Sequence, residues 1–235
     1  MAAVAAGAVA AVSGFGIGSL LTPVLMLWMP TAHAVAVLAI PHAWATSIRW
    51  LRLRRDIDAP TFRQFGIASA VGGLAGAALQ SRLTSPTLTI VLAVLLAISG
   101  TSELVRRPLP IPKTPTWRLA GGLLSGLFGG LVGNQGGIRA AALLGFRLQP
   151  RQLVATATAA ALLVDAARVP IYVLTSGSVI WARVDLWLPV LVGVTIGTFV
   201  GVPILGRLSA NVYRRLIGAL LLLLAASLVF AATRD

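Results

Sequence analysis

The chain has 235 residues, is 57% hydrophobic and 11% charged, and carries a net charge of +13. Several apolar runs reach about 20 residues, enough for a helix to cross a bilayer, and they lack the alternation of a membrane β-barrel. The sequence therefore predicts an all-α polytopic membrane protein. Its arginines suit cytoplasmic loops beside anionic lipid, and no soluble domain is predicted that would bind nucleic acid. The absence of cysteine excludes disulfides and thiolate metal sites.

The first half of the chain, residues 1–105, predicts one broken helix followed by three full spans. The broken helix covers residues 2–29 and is interrupted by a glycine-bearing stretch at residues 14–19. The full spans are expected at residues 32–51, 61–80 and 87–104. Arg49 lies close enough to the cytoplasmic end of its span that its side chain is expected to snorkel to the surface.

The second half, residues 117–235, repeats this plan after a proline-rich linker at residues 106–116. Its broken helix is expected at residues 117–146 and its full spans at residues 152–175, 186–205 and 216–232. The glycine pair Gly72 and Gly76 recurs at one constant offset as Gly197 and Gly201. Both pairs have the GxxxG spacing that lets a neighbouring helix approach closely.

Charge distribution favours inverted repeats. If each broken helix crosses the membrane, the two repeats are parallel, and loop and terminal Lys and Arg divide 10 against 6 between the two sides. If each is a re-entrant hairpin, three spans per repeat invert the second repeat, and the division becomes 13 against 3. Half-helices of about ten residues are also too short to cross a core of about 30 Å. We therefore predict two hairpins whose tips meet near the midplane; broken helices that still cross are the alternative.

The two breaks predict a site for a small anion. A hairpin tip begins a half-helix whose free N–H groups and partial positive charge attract anions, and glycine lets a ligand approach the backbone. The stretch at residues 133–139 adds two carboxamides and Arg139 to three glycines. The predicted substrate-binding residues are Gly16, Gly18, Ser19, Asn134, Gln135, Gly136, Gly137, Arg139 and Arg168.

Further ionisable residues lie inside predicted spans, where such groups usually mark a transport pathway. Asp165 and Arg168 are three residues apart on one helix and can pair. That pair either fixes helix packing or combines a substrate-binding arginine with a titrating carboxylate. Asp165 and His42 are the candidates for proton coupling, although His42 also suits a packing role. No metalloprotease, hydrolase or Walker motif is present, so the sequence predicts no enzyme, metal or cofactor.

Residues 14–23, GFGIGSLLTP, and residues 129–137, GGLVGNQGG, resemble the TauE/SafE family, and the likeness extends over nearly the whole chain. The first motif departs from the family's usual glycine run by placing Phe15 and Ile17 between glycines. In the second repeat, Ala142 stands where the match to Pro23 would be. The resemblance implies a secondary transporter of the bacterial cytoplasmic membrane, with members linked to sulfite, sulfoacetate and related small anions.

The functional prediction is export of a small anion, sulfite or an organosulfonate, by alternating access and with protons. The alternatives are an uncoupled anion channel or permease and a non-transporting membrane scaffold. The expected partners are the anion and the lipid bilayer, and the sequence leaves the oligomeric state open.

Overall fold

The computed structural model describes residues 1–13, 16–105, 114–143, 146, 148–205 and 209–232, which form helices and their connections with no strand among them. The first half contains α1 (Ala2–Ser13), α2 (Ile17–Leu25), α3 (Thr31–Leu53), α4 (Ala59–Thr61), α5 (Ile67–Gln80) and α6 (Ser85–Val105). The second half contains α7 (Pro115–Val132), α8 (Gly136–Leu143), α9 (Pro150–Ala182), α10 (Val184–Leu205) and α11 (Ala210–Ala232). Gly14, Phe15, Arg207 and most of the predicted linker lie outside the described residues.

The surface of the helices suits lipid. Among the described residues, α6, α9 and the part Arg214–Ala232 of α11 are long and apolar enough to cross a bilayer, with mean hydropathies of 2.1, 1.5 and 2.3. Shorter apolar segments lie at Ala2–Ala11 and Val184–Val200. Large apolar side chains such as Ile90, Leu223 and Phe230 are more than half exposed. Water would not favour so much exposed apolar surface, whereas hydrocarbon does.

Each helix pair with extensive packing joins one helix of the first half to one helix of the second half. α5 lies along α7 and α10 lies along α1, while α3 packs on α9 and α6 on α11. A Cβ atom added at Gly72 or Gly76 would collide with the backbone of α7, and one at Gly197 would collide with the backbone of α1. The close helix approach predicted from the GxxxG spacing is therefore confirmed for these three glycines.

The helix α9 extends beyond the span predicted at residues 152–175. Non-helical torsion angles at Ser176 (φ −137°, ψ 17°) kink the helix just after the predicted end, and the chain then continues helically to Ala182. Ile180 in this extension is buried, and its carbonyl accepts a hydrogen bond from Trp187 Nε1 at 3.0 Å. Packing thus maintains a helical turn where the glycine and serines of the sequence predicted a loop.

Candidate functional site

The two helix breaks are in direct contact. Gly16 before α2 (φ 126°) and Gly133 after α7 (φ 71°) have positive φ angles that other residues adopt only with strain. A Cβ atom added at Gly18 would collide with the carbonyl oxygen of Gly133. Ser19 Oγ donates a hydrogen bond to Asn134 Oδ1 at 3.2 Å. Glycine at these positions therefore lets two backbones, more than a hundred residues apart in sequence, meet.

A small cleft with free space of about 10 Å³ lies where the breaks meet. It is lined by Gly16, Gly18, Ser19, His42, Gly133, Gln135, Gly136 and Arg139. The structure thus brings six of the predicted substrate-binding residues together, and His42 with them. Asn134, Gly137, Asp165 and Arg168 lie nearby but do not line this cleft.

Asp165 is the centre of a buried polar cluster between α3 and α9. Its Oδ2 lies 2.8 Å from His42 Nδ1, while its Oδ1 accepts from Arg168 Nε at 2.9 Å and lies 2.8 Å from Arg168 Nη2. The third nitrogen of Arg168, Nη1, donates to Gly129 O at 2.6 Å. Every guanidinium nitrogen of Arg168 is therefore bound to a protein group.

Side chains of other helices donate to carbonyl groups in the last turn of α7, where a helix end leaves most carbonyls without a backbone partner. Arg168 donates to Gly129 O, Tyr172 Oη donates to Gly130 O, and Gln80 Nε2 donates to Leu131 O at 3.1 Å. The positive charge of Arg168 also complements the partial negative charge of this helix end. Sequence reasoning missed Tyr172 and Gln80, although Tyr172 follows Arg168 by one helical turn.

Arg139 is buried and has hydrogen-bonding capacity to spare. It is 3% exposed, its Nη2 donates to Gln135 Oε1, and its Nε has no protein partner. The amide nitrogens of Asn134 and Gln135 are also buried without a partner. Buried donors of this kind are normally paired, so the group offers free N–H donors to a ligand or to water.

The expectation that Arg49 snorkels is wrong. Arg49 is 4% exposed, and its Nη2 donates to Thr46 Oγ1 at 3.1 Å. The side chain belongs to the same face of α3 as His42 and Thr46, and that face is turned towards the interior. The rotation of α3 about its axis therefore outweighs the nearness of the helix end, and Arg49 joins the buried charged residues although the sequence had predicted it at the surface.

Positive charge exceeds negative charge in this interior. The buried charged side chains among the described residues are three arginines, Arg49, Arg139 and Arg168, and a single carboxylate, Asp165. Charges removed from water are stable only when they are paired. The cluster therefore favours an added anion.

Comparison with known proteins decides the family. The model of the family "Sulfite exporter TauE/SafE" matches residues 1–228. The chain belongs to the TauE/SafE family. Neither the curated proteins nor the solved structures that were searched gave a match to it. As a TauE/SafE member it is a multi-pass membrane protein of an anion-transport family, which confirms the transport and membrane predictions at that level.

Proposed function

We propose that this TauE/SafE protein is a secondary transporter that exports a small anion, sulfite or an organosulfonate, across the bacterial cytoplasmic membrane. The observation that carries the proposal is the cleft between the two helix breaks, into which Arg139 faces with unpaired donors around it. The surplus of buried arginine over buried carboxylate supplies the electrostatic reason for binding an anion.

The chemistry of the cleft matches an oxyanion with several acceptor oxygens. The N-terminal turns of α2 and α8 reach it through Gly18 and Gly136, and helix N-termini favour negative charge. Ser19, Gln135 and Arg139 add polar side chains. The free space of about 10 Å³ holds about one water molecule, so the two helix breaks must separate before an oxyanion can bind, as alternating access requires.

The remaining predicted site residues are assigned positioning roles in this proposal. Asn134 holds Ser19, and Arg168 holds the end of α7 together with Asp165. Gly137 lies close to Ser99, where a Cβ atom would meet the serine hydroxyl, so it allows α8 to pack. Arg168 would have to give up protein partners before it could bind substrate directly.

The proposal is tested by flux into proteoliposomes. A transporter should carry radiolabelled sulfite at a rate that saturates with concentration and responds to an imposed pH gradient. A rate that rises without saturation would instead indicate a channel, and no flux above protein-free vesicles would indicate a scaffold.

Proton coupling is proposed to run through His42, which lines the cleft and bonds to Asp165. Replacing His42 by glutamine keeps a hydrogen-bonding side chain but removes the group that can carry a proton. We expect sulfite binding to persist within about threefold while the response of flux to a pH gradient disappears. The matched control is His33→Gln, since His33 is the only other histidine of the chain and does not line the cleft. A full pH response in His42→Gln would remove this residue from the coupling mechanism.

The two halves are proposed to be inverted repeats with re-entrant breaks. Reciprocal packing of α1 on α10 and of α5 on α7 supports a two-fold relation between them, and the charge distribution favours opposite orientations. Single cysteines at Arg82 and Ser209, which lie after α5 and before α11, test this. The natural chain has no cysteine, so each variant carries one label site. Inverted repeats place the two labels on opposite faces of the membrane, and labelling from the same face would contradict the proposal.

A further inference from the structure

A polar strip on α3 leads away from the cleft. His42, Thr46 and Arg49 are 7%, 0% and 4% exposed. Thr46 Oγ1 lies 3.5 Å from His42 Nδ1 and accepts the hydrogen bond from Arg49 Nη2. Because an α-helix rises about 1.5 Å per residue, the backbone of Arg49 lies about 10 Å along the axis beyond that of His42, and the Arg49 side chain reaches back to Thr46. The strip therefore connects the cleft to the region near the C-terminal end of α3.

Arg49 has more donors than the described protein groups satisfy. Its Nε and Nη1 are buried without a hydrogen-bond partner, and no carboxylate in the described part of the chain lies within 4 Å of it. The neighbouring helix α9 contributes another buried polar group without a partner, Thr158 Oγ1, two residues after Thr156, whose hydroxyl accepts a hydrogen bond from Asp58 N beyond the end of α3. A buried guanidinium with two free nitrogens is stable only if water or an anion occupies the space beside it.

The same end of α3 faces a basic surface. The exposed residues Arg54 and Arg55 follow α3 directly, and the proposed topology puts them in the cytoplasm. Surface arginines raise the local concentration of anions and steer them inward. An anion arriving from this side would reach Arg49 before it reached Arg139.

We propose that Arg49 forms a second binding point for the transported oxyanion, between the cytoplasmic surface and the central cleft. The inference rests on the proposed function and adds the route by which substrate reaches its site. Two successive points of moderate affinity let an anion bind and still leave, which a single tight site does not. Thr46 orients the Arg49 guanidinium, and the free Nε and Nη1 hold the anion.

The test compares Arg49→Gln, Arg49→Lys and wild type in oriented proteoliposomes, with radiolabelled sulfite added at the cytoplasmic face. We expect Arg49→Gln to raise KM at that face at least about tenfold and to leave equilibrium sulfite binding in the central cleft within about threefold. Arg49→Lys, which keeps the charge but not the pair of free guanidinium nitrogens, should raise KM less than Arg49→Gln does. The matched control is Arg82→Gln, which removes an exposed arginine on the opposite face in the proposed topology and should leave KM at the cytoplasmic face close to wild type.

A second measurement uses the wild-type protein and so does not depend on folding of a variant. Methylglyoxal, a small arginine reagent, is applied from the cytoplasmic face, and modified residues are mapped by mass spectrometry. Saturating sulfite should protect Arg49 and leave Arg54 reactive. Equal modification of Arg49 with and without sulfite, or no modification in either case, would overturn the second binding point.

The outcomes separate the two proposals. An unchanged KM in Arg49→Gln, while Arg139→Gln fails to bind, removes only the second binding point. Equal loss of binding and flux in both Arg49 variants, together with a lower melting temperature, shows that Arg49 has only a structural role. Wild-type protein that neither binds nor carries sulfite overturns the proposed function itself.

Discussion

Replacing Arg139 by glutamine is expected to reduce sulfite affinity by at least about 30-fold, and to reduce saturable flux with it. Arg139 is a buried charge at the cleft, and removing one partner from a buried charge pair typically costs about 2–5 kcal/mol. Glutamine retains part of the hydrogen bonding to Gln135, so the loss reports mainly on charge. Equilibrium binding to purified protein and initial flux in proteoliposomes measure the two quantities.

The control for this variant is Arg151→Gln. The Arg151 side chain is 73% exposed and pairs with Asp56 at 2.9 Å on the surface, where an ion pair is worth about 0–1 kcal/mol. The Arg151→Gln variant changes the net charge of the protein as much as Arg139→Gln does, but it removes no charge from the interior. Arg139→Gln with wild-type sulfite affinity would exclude Arg139 from the site, whereas equal losses in both variants would indicate an effect of net charge.

Replacing Gly18 by alanine is expected to lower the melting temperature by about 2–12 °C and to abolish flux. The added methyl group would collide with the carbonyl oxygen of Gly133, which is backbone and cannot rotate away. Overpacking usually costs about 1–3 kcal/mol, and in a chain of this size each kcal/mol corresponds to about 2–4 °C. Separating the two breaks would also open the cleft and misplace the α2 N-terminus.

Gly177→Ala is the matched control, because a Cβ atom at Gly177 would meet nothing within 4 Å. Thermal unfolding of the purified variants, followed by flux measurements, compares the two substitutions. Wild-type stability and flux in Gly18→Ala would mean that the breaks do not need this close contact. The same variant therefore tests the packing of the interior and the location of the site.

The sequence by itself determined the membrane class, the two glycine-bearing breaks and the candidate anion-binding residues near them. Apolar run length and the interruption of helices by glycine are local properties, so they can be read without knowledge of the fold. The proximity of the two breaks was also predicted, because the tips of two re-entrant hairpins were both expected near the midplane. The TauE/SafE resemblance rested on those same local motifs.

Only the tertiary structure decided which buried polar groups are hydrogen-bonded to protein groups and which have unpaired donors. Arg168 had looked like a substrate ligand, yet its nitrogens bind Asp165 and the end of α7. Arg49 had looked like a surface residue, yet it is buried with two free nitrogens. Both outcomes depend on how α3 and α9 are rotated about their axes. That rotation is set by packing between residues more than a hundred positions apart, and no local pattern encodes it.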